Sequence, residues 1–140
     1  VRETEASEVN PIGVFLGVSY TDPNTSQPTF KNHYPGSISA SDIQAVVAVH
    51  PHTLYEVQAD GAVAQTSLGM TIDLVQTSSG NTTTGNSGLQ ADASTASVGG
   101  EFFKIVDFVN RPGSSVGDAY TDLVVMLSPA ENAFLTDPIT

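Results

Sequence analysis

The segment formed by residues 102–127 constrains the fold of this chain more than any other part of the sequence. It begins with an apolar, β-rich run, residues 102–109, and ends with a second one, residues 121–127. Between the two runs lie Pro112-Gly113 and Gly117-Asp118, which are residue pairs typical of turns. The pattern predicts two paired strands in a β-core, and no reactive side chain stands out from it.

Shorter runs of the same character fill much of the remaining chain. Residues 12–20 alternate between apolar positions and a second face whose glycines let another backbone approach. Residues 43–50 are apolar on both sides, which is typical of a central strand. Residues 61–68 favour a helix of about two turns, with Asp60 as the N-cap and Gly69 closing the C-terminus. We therefore predict an all-β fold, a small single-domain β-barrel or sandwich with about seven strands and one short helix.

The alternation also predicts which side chains are buried. Within residues 77–100 the only core candidates are Leu89 and Val98. In the strands the predicted core consists of Val14, Leu16, Val18, Val47, Val49, Tyr55, Val57, Leu74, Ile105, Val109, Val124 and Met126.

Acidic residues dominate the charge of the chain. Fifteen acids stand against four bases, which gives a net charge of −11 at pH 7. So few bases cannot build the basic patch that binds nucleic-acid phosphates, and an anionic membrane surface repels such a chain. No cysteine is present, and no run approaches the roughly 18 apolar residues of a membrane-spanning helix. We predict no nucleic-acid and no membrane partner.

The distribution of apolar residues suggests three parts. Residues 1–10 are predicted to be a linker or N-terminal extension that follows an upstream segment, residues 11–128 a β-domain, and residues 129–140 a C-terminal tail. We expect residues 77–100 to form an ordered surface excursion that contacts a partner, with disorder as the alternative, because long loops in compact domains are either functional or disordered. The predicted partner-binding residues lie in this excursion and in the tail: Asn81, Thr82, Thr83, Thr84, Asn86, Phe134 and Leu135.

Three patterns contain residue types that occur in reactive sites. Residues 113–117 match G-x-S-x-G, but the nucleophile elbow needs a helix after it, and here a strand is predicted. His50 and His52 share one face of an extended segment, yet a zinc site needs further ligands, and His33 and scattered carboxylates are all that remain. No spacing selects a catalytic carboxylate pair from Asp60, Asp73, Asp107, Asp118 and Asp122. We predict that the protein is not an enzyme and uses no cofactor or metal.

Several phrases in common order across residues 10–127 resemble small head-decoration, or cement, proteins of tailed bacteriophages. They include NPIGVFLGVSYTD, FKNHYPG, LYEVQADG, GNTTTGNSG and KIVDFVNRPGSSVGDAYTDLVVML. The resemblance implies a virion protein on the outer surface of the capsid that clamps neighbouring major-capsid subunits, often as a homo-oligomer. It carries over no catalytic residues.

Two other classes of function stay open. A phage fibre or tail protein, or a host-surface carbohydrate-binding β-domain, would use residues 77–100 and tyrosines next to turns, such as Tyr34 and Tyr120. A small hydrolase would need Ser115 or a pair of carboxylates.

Overall fold

The computed structural model describes residues 11–81, 83–99 and 101–130, and within them the chain is all-β, as predicted. Its helical content there is limited to two short 3-10 turns, and the described strands form no closed barrel. The predicted linker, residues 1–10, and most of the predicted tail, residues 131–140, lie outside the described residues. The strands are β1 (Val14–Thr21), β2 (Pro28–Lys31), β3 (Gln44–Ala48), β4 (Tyr55–Gln58), β5 (Thr71–Ile72), β6 (Leu74–Gln76), β7 (Leu89–Ala91), β8 (Phe103–Phe108) and β9 (Asp122–Leu127).

The strands are arranged in three antiparallel sheets. The first sheet has the order β2-β1-β3, the second β4-β9-β8-β5, and the third β6-β7. The predicted pair is present: β8 and β9 are neighbours, with Ile105 opposite Val125. Residues 71–76 form two strands divided at Asp73, β5 and β6, which belong to different sheets.

The main hydrophobic core lies against one face of the second sheet. The register of β8 and β9 places the side chains of opposite residues, such as Phe103 and Leu127, on the same face. Each large aliphatic buried there stabilises the fold by about 1.5–3 kcal/mol. Within the described residues this core comprises Ala59, Val63, Ile72, Ala91, Phe102, Phe103, Ile105, Phe108, Leu123, Val125 and Leu127.

The predicted core is correct in part. Ile105 and Val18 are buried, and Tyr55, Val57 and Leu74 pack half-buried against the core. The phase predicted for β9 is wrong, because Val124 and Met126 are half-buried while Leu123, Val125 and Leu127 are buried. Every position from Leu123 to Leu127 is apolar, so alternation could not distinguish the two faces. Val14, Val47 and Val109 are half-buried, and Val49 and Val98 are exposed.

Leu16 is the clearest error in the predicted core, since 52% of its surface is exposed. The register between β1 and β3 shifts between Phe15 and Gly17, which leaves Leu16 as the extra residue of a β-bulge. The bulge resets the alternation of β1, so Val18 and Tyr20 are buried after it. A Cβ at Gly17 would contact the Phe30 ring and lie 2.6 Å from the Lys31 carbonyl oxygen, so a glycine there allows β2 to approach, as predicted.

The run of residues 43–50 does not form a central strand. Its strand, β3, lies at an edge of the first sheet and has β1 as its only hydrogen-bonded neighbour among the described strands. Ile43, Val46 and Val49 are correspondingly exposed. The sequence is that of a strand with neighbours on both sides, whereas the described strands supply a neighbour on one side.

The predicted helix over residues 61–68 is also wrong, since a single 3-10 turn, Gln65–Ser67, stands in its place. Tertiary contacts take the backbone groups that a helix would need. The Val63 N–H donates to Thr121 Oγ1 (3.0 Å), and the Val63 carbonyl accepts from the Gly117 N–H (3.1 Å). Asp60 does not cap this segment but accepts from the Ala93 N–H (2.9 Å). These bonds draw Val63 into the core instead of a helix.

Candidate interaction surface

The predicted partner-binding loop connects β6 to β7 and is held by its own hydrogen bonds. Asn81 Oδ1 accepts from the N–H groups of Thr83 (2.8 Å) and Thr84 (3.0 Å). The Asn81 N–H donates to the Asn86 carbonyl (2.9 Å), and the Asn81 carbonyl accepts from the Gly85 N–H (2.7 Å). Asn81 therefore acts as the organising residue of the loop, whereas Thr83, Thr84 and Asn86 expose their side chains.

The loop also touches the segment that follows β2. Asn32 Nδ2 donates to the Thr84 carbonyl (3.4 Å), and Gly85 lies against the imidazole of His33. Gly85 has a φ of 75°, and a Cβ there would clash with that ring. These contacts bring the first and third sheets together at the loop.

The predicted partner-binding residues are thus only partly placed. Thr83, Thr84 and Asn86 share one exposed loop, with Asn81 inside its hydrogen-bond pattern. Thr82, Phe134 and Leu135 lie outside the described residues. The single excursion predicted over residues 77–100 is interrupted by a strand, because β7 pairs with β6 and its Ala91 belongs to the core.

A second exposed surface, which sequence reasoning missed, is one face of the first sheet. Phe30 is 60% exposed and Val46 41% exposed. The strand register places Phe30 opposite Ser19 and Val46 opposite Gly17, two residues apart on β1, so they share a face. Leu16, at the bulge beside Gly17, adds a further exposed apolar side chain. We call this surface, Leu16, Phe30 and Val46, the outer face.

The glycines of β1 are the sequence signal from which a bulge, and hence the outer face, could have been predicted. No described residue of the first sheet belongs to the main core, and Val18 and Tyr20 are buried on the opposite side of that sheet from Phe30. A glycine in mid-strand is a signal for a bulge, and a bulge changes the face on which the next apolar residue lies.

The motif at residues 113–117 forms a turn. Ser114 is buried and its backbone pairs with that of Arg111, while the Ser115 N–H donates to Asp118 Oδ2 (2.7 Å). The next element is β9, a strand. This arrangement uses the serines and Asp118 to shape the connection from β8 to β9, and the helix that a nucleophile elbow requires does not follow.

Among the described residues, the histidines and carboxylates discussed above make local contacts. The rings of His50 and His52 lie 5.7 Å apart, and the described residues contain no group of three His, Cys, Asp or Glu side chains suited to a metal ion. Arg111 contacts Glu56 (2.6 Å) and Asp122 (3.1 Å), and the hydrogen bond that Arg111 donates to Glu56 is the main reason that the pKa of Arg111 is raised. Both members of the closer pair are exposed, so it adds little stability.

One carboxylate has a depressed pKa. Asp42 accepts from the Thr21 hydroxyl (2.6 Å) and from the Thr21 N–H (3.1 Å), and these bonds lower the pKa of Asp42 below its ordinary value. The contact ties the segment before β3 to the end of β1. Its role is therefore the positioning of β3.

An open cleft of about 470 Å³ lies beside the turn between β1 and β2. Asp22 and Lys31 are among its lining residues, but Asp22 Oδ1 accepts from the Asn24 N–H (2.8 Å) within the turn itself. The cleft is thus a product of turn geometry.

Comparison of the chain with protein-family models, with curated proteins and with solved structures finds no match. Among the described residues, no helix has the length and apolar character needed to cross a membrane.

Proposed function

We propose that this protein is a virion component that binds the outer surface of a phage head and stabilises contacts between major-capsid subunits without chemistry. The ordered resemblance of residues 10–127 to head-decoration proteins is the observation that carries the proposal. In this proposal the protein acts as an oligomer on the capsid.

Features of the surface support a role in binding. The loop between β6 and β7 presents Thr83, Thr84 and Asn86, and its internal hydrogen bonds hold it in one shape before a partner arrives. A preorganised loop loses less conformational entropy on binding than a flexible one. The net charge of −11 suits a surface that faces away from packaged DNA, because like charges repel.

Stabilisation of a shell by such a protein needs no active site. A ligand that binds assembled subunits, and not separated ones, stabilises each site by about 2.7 kcal/mol at a hundredfold excess over its dissociation constant. Many sites on one shell multiply this effect.

The test uses expanded heads that lack the protein, to which the purified full chain is added. We expect saturable binding and a higher disruption temperature, with unchanged DNA content. The variants Thr83→Lys and Phe134→Ser should weaken binding, and Gln65→Lys, at an exposed position on a 3-10 turn, is the matched charge control. Heads that neither bind the protein nor gain resistance would refute the proposal, as would its location on the tail.

The alternative, a fibre, tail or carbohydrate-binding domain, is favoured by one observation, the exposure of Tyr34 and Tyr120. Exposed aromatic rings next to turns are suited to stacking on sugars. A glycan array separates the two functions, because a capsid-binding protein should give no signal that depends on these tyrosines.

A further inference from the structure

The edges of the described sheets differ in how well they are protected against pairing with another strand. An exposed edge strand presents free backbone groups, and proteins block such edges with proline, charged side chains or short strands. In the first sheet, β2 begins with Pro28 and ends with Lys31. In the second, β4 carries Glu56 and β5 has only two residues. Both strands of the third sheet have three residues.

The edge strand β3 has none of these protections. Its five residues, QAVVA, contain no proline and no charge. The flanking sequence extends the uncharged run, since residues 43–55 contain no acid, lysine or arginine. Such a composition is typical of a strand that is paired on both sides.

The outward backbone groups of β3 can be identified. The Ala48 carbonyl oxygen lies against Gly13, on the side of β1, and Ala48 pairs with Val14. Backbone groups alternate in direction along an antiparallel strand, so those of Ala45 and Val47 point away from β1.

We propose that β3 pairs with β3 of a second copy of this chain, antiparallel and about a two-fold axis at Val46. Ala45 of each copy then exchanges backbone hydrogen bonds with Val47 of the other, and the two first sheets join into one continuous sheet. The two-fold axis keeps the outer face of one copy on the same side as that of the other. This inference goes beyond capsid binding, because it identifies how two copies associate in the absence of a head.

The strand itself is suited to pairing with a second copy, because the register about Val46 matches Ala45 with Val47 and Gln44 with Ala48 and brings no charged residue of β3 against another. Two chains that each carry −11 repel one another wherever acids meet, and β3 provides an edge without acids. A basic partner would instead be recognised by acidic residues at the contact.

The test measures the mass of the isolated full chain by sedimentation across a range of concentrations. We expect a species of twice 14.6 kDa. Ala45→Pro removes an outward N–H, once in each copy, and leaves the bonds between β1 and β3 intact. It should raise the dimer dissociation constant about ten- to hundredfold. Ala45→Thr keeps the N–H and is the matched control.

A charge exchange tests the two-fold axis itself. Val46→Lys and Val46→Glu each place like charges opposite one another at the axis and should give monomers, whereas an equimolar mixture should give dimers again. Val98→Lys, at a position that is 91% exposed and outside the first sheet, should leave the dimer unchanged. Circular dichroism and thermal unfolding confirm that each variant is folded.

Three results would overturn the inference: a wild-type chain that stays monomeric or forms trimers, a folded Ala45→Pro variant whose dimer dissociation constant is unchanged, or a Lys/Glu mixture that stays monomeric. All of these measurements use the protein without heads. Failure of dimerisation is therefore distinguishable from failure of head binding.

Discussion

Leu16 lies in the first sheet and Ile105 in the second. Leu16→Ala and Ile105→Ala remove the same number of carbon atoms, so the two variants compare how much each sheet depends on burial of the side chain. Ile105 in β8 is 0% exposed and is surrounded by the core, so Ile105→Ala loses its transfer free energy and leaves a cavity. We expect a loss of about 2–5 kcal/mol in the free energy of unfolding. Leu16 already exposes about half of its surface, so no closed cavity forms, and the transfer loss is about 1 kcal/mol or less.

Denaturant unfolding gives both values, with the slope of each transition compared to confirm that the unfolded states are alike. The measurement is made at one low protein concentration with Ala45→Pro, which is expected to weaken association, present in both variants, so that association contributes equally and little to the two values. An equal loss in the two variants would contradict the assignment of Leu16 to a bulge on the outer face. A loss below about 1 kcal/mol for Ile105→Ala would contradict the position of the core.

Three further predictions concern single contacts. Thr121→Val should cost about 1–3 kcal/mol in unfolding free energy, because the buried Val63 N–H loses its acceptor; denaturation with Thr121→Ser as control measures this. Gly85→Ala should destabilise the loop by about 1–2 kcal/mol through its positive φ and contact with His33, which faster hydrogen exchange there would show. In the folded protein the pKa of Asp42 is lowered from 3.8 by its bonds to Thr21. The stability that these bonds contribute is therefore present above about pH 4 and is lost as the pH falls through the lower folded pKa. Asp42→Asn should remove this part of the acid dependence of the free energy of unfolding.

The sequence was sufficient to predict the all-β class and the pairing of β8 with β9. Both depend on local signals, namely period-two runs and turn residues such as Pro112-Gly113, and tertiary structure agreed with them. The helix over residues 61–68 failed because its local signals were overruled: Thr121 and Gly117, distant in sequence, take the backbone groups of Val63.

The candidate surface was predictable to a smaller extent. The polar run around Asn81 and Asn86 marked an exposed loop, but its attachment to His33 depends on a contact between distant segments. The outer face was missed because one bulge at Leu16 moved the later residues of β1 to the opposite face. The edge position of β3 could not be read from its composition, which is that of a central strand.

The arrangement of edges also bears on how far association can proceed. When the β3 edges of two copies pair, the ends of the joined sheet are the two β2 strands, which carry Pro28 and Lys31. Proline removes a backbone donor and lysine opposes a further strand, so the pairing closes at two copies. Unprotected edges on both sides of the sheet would permit open-ended addition and fibres. A protein that is proposed to cover a shell in many copies must associate in a limited way, and the protected β2 edge provides that limit.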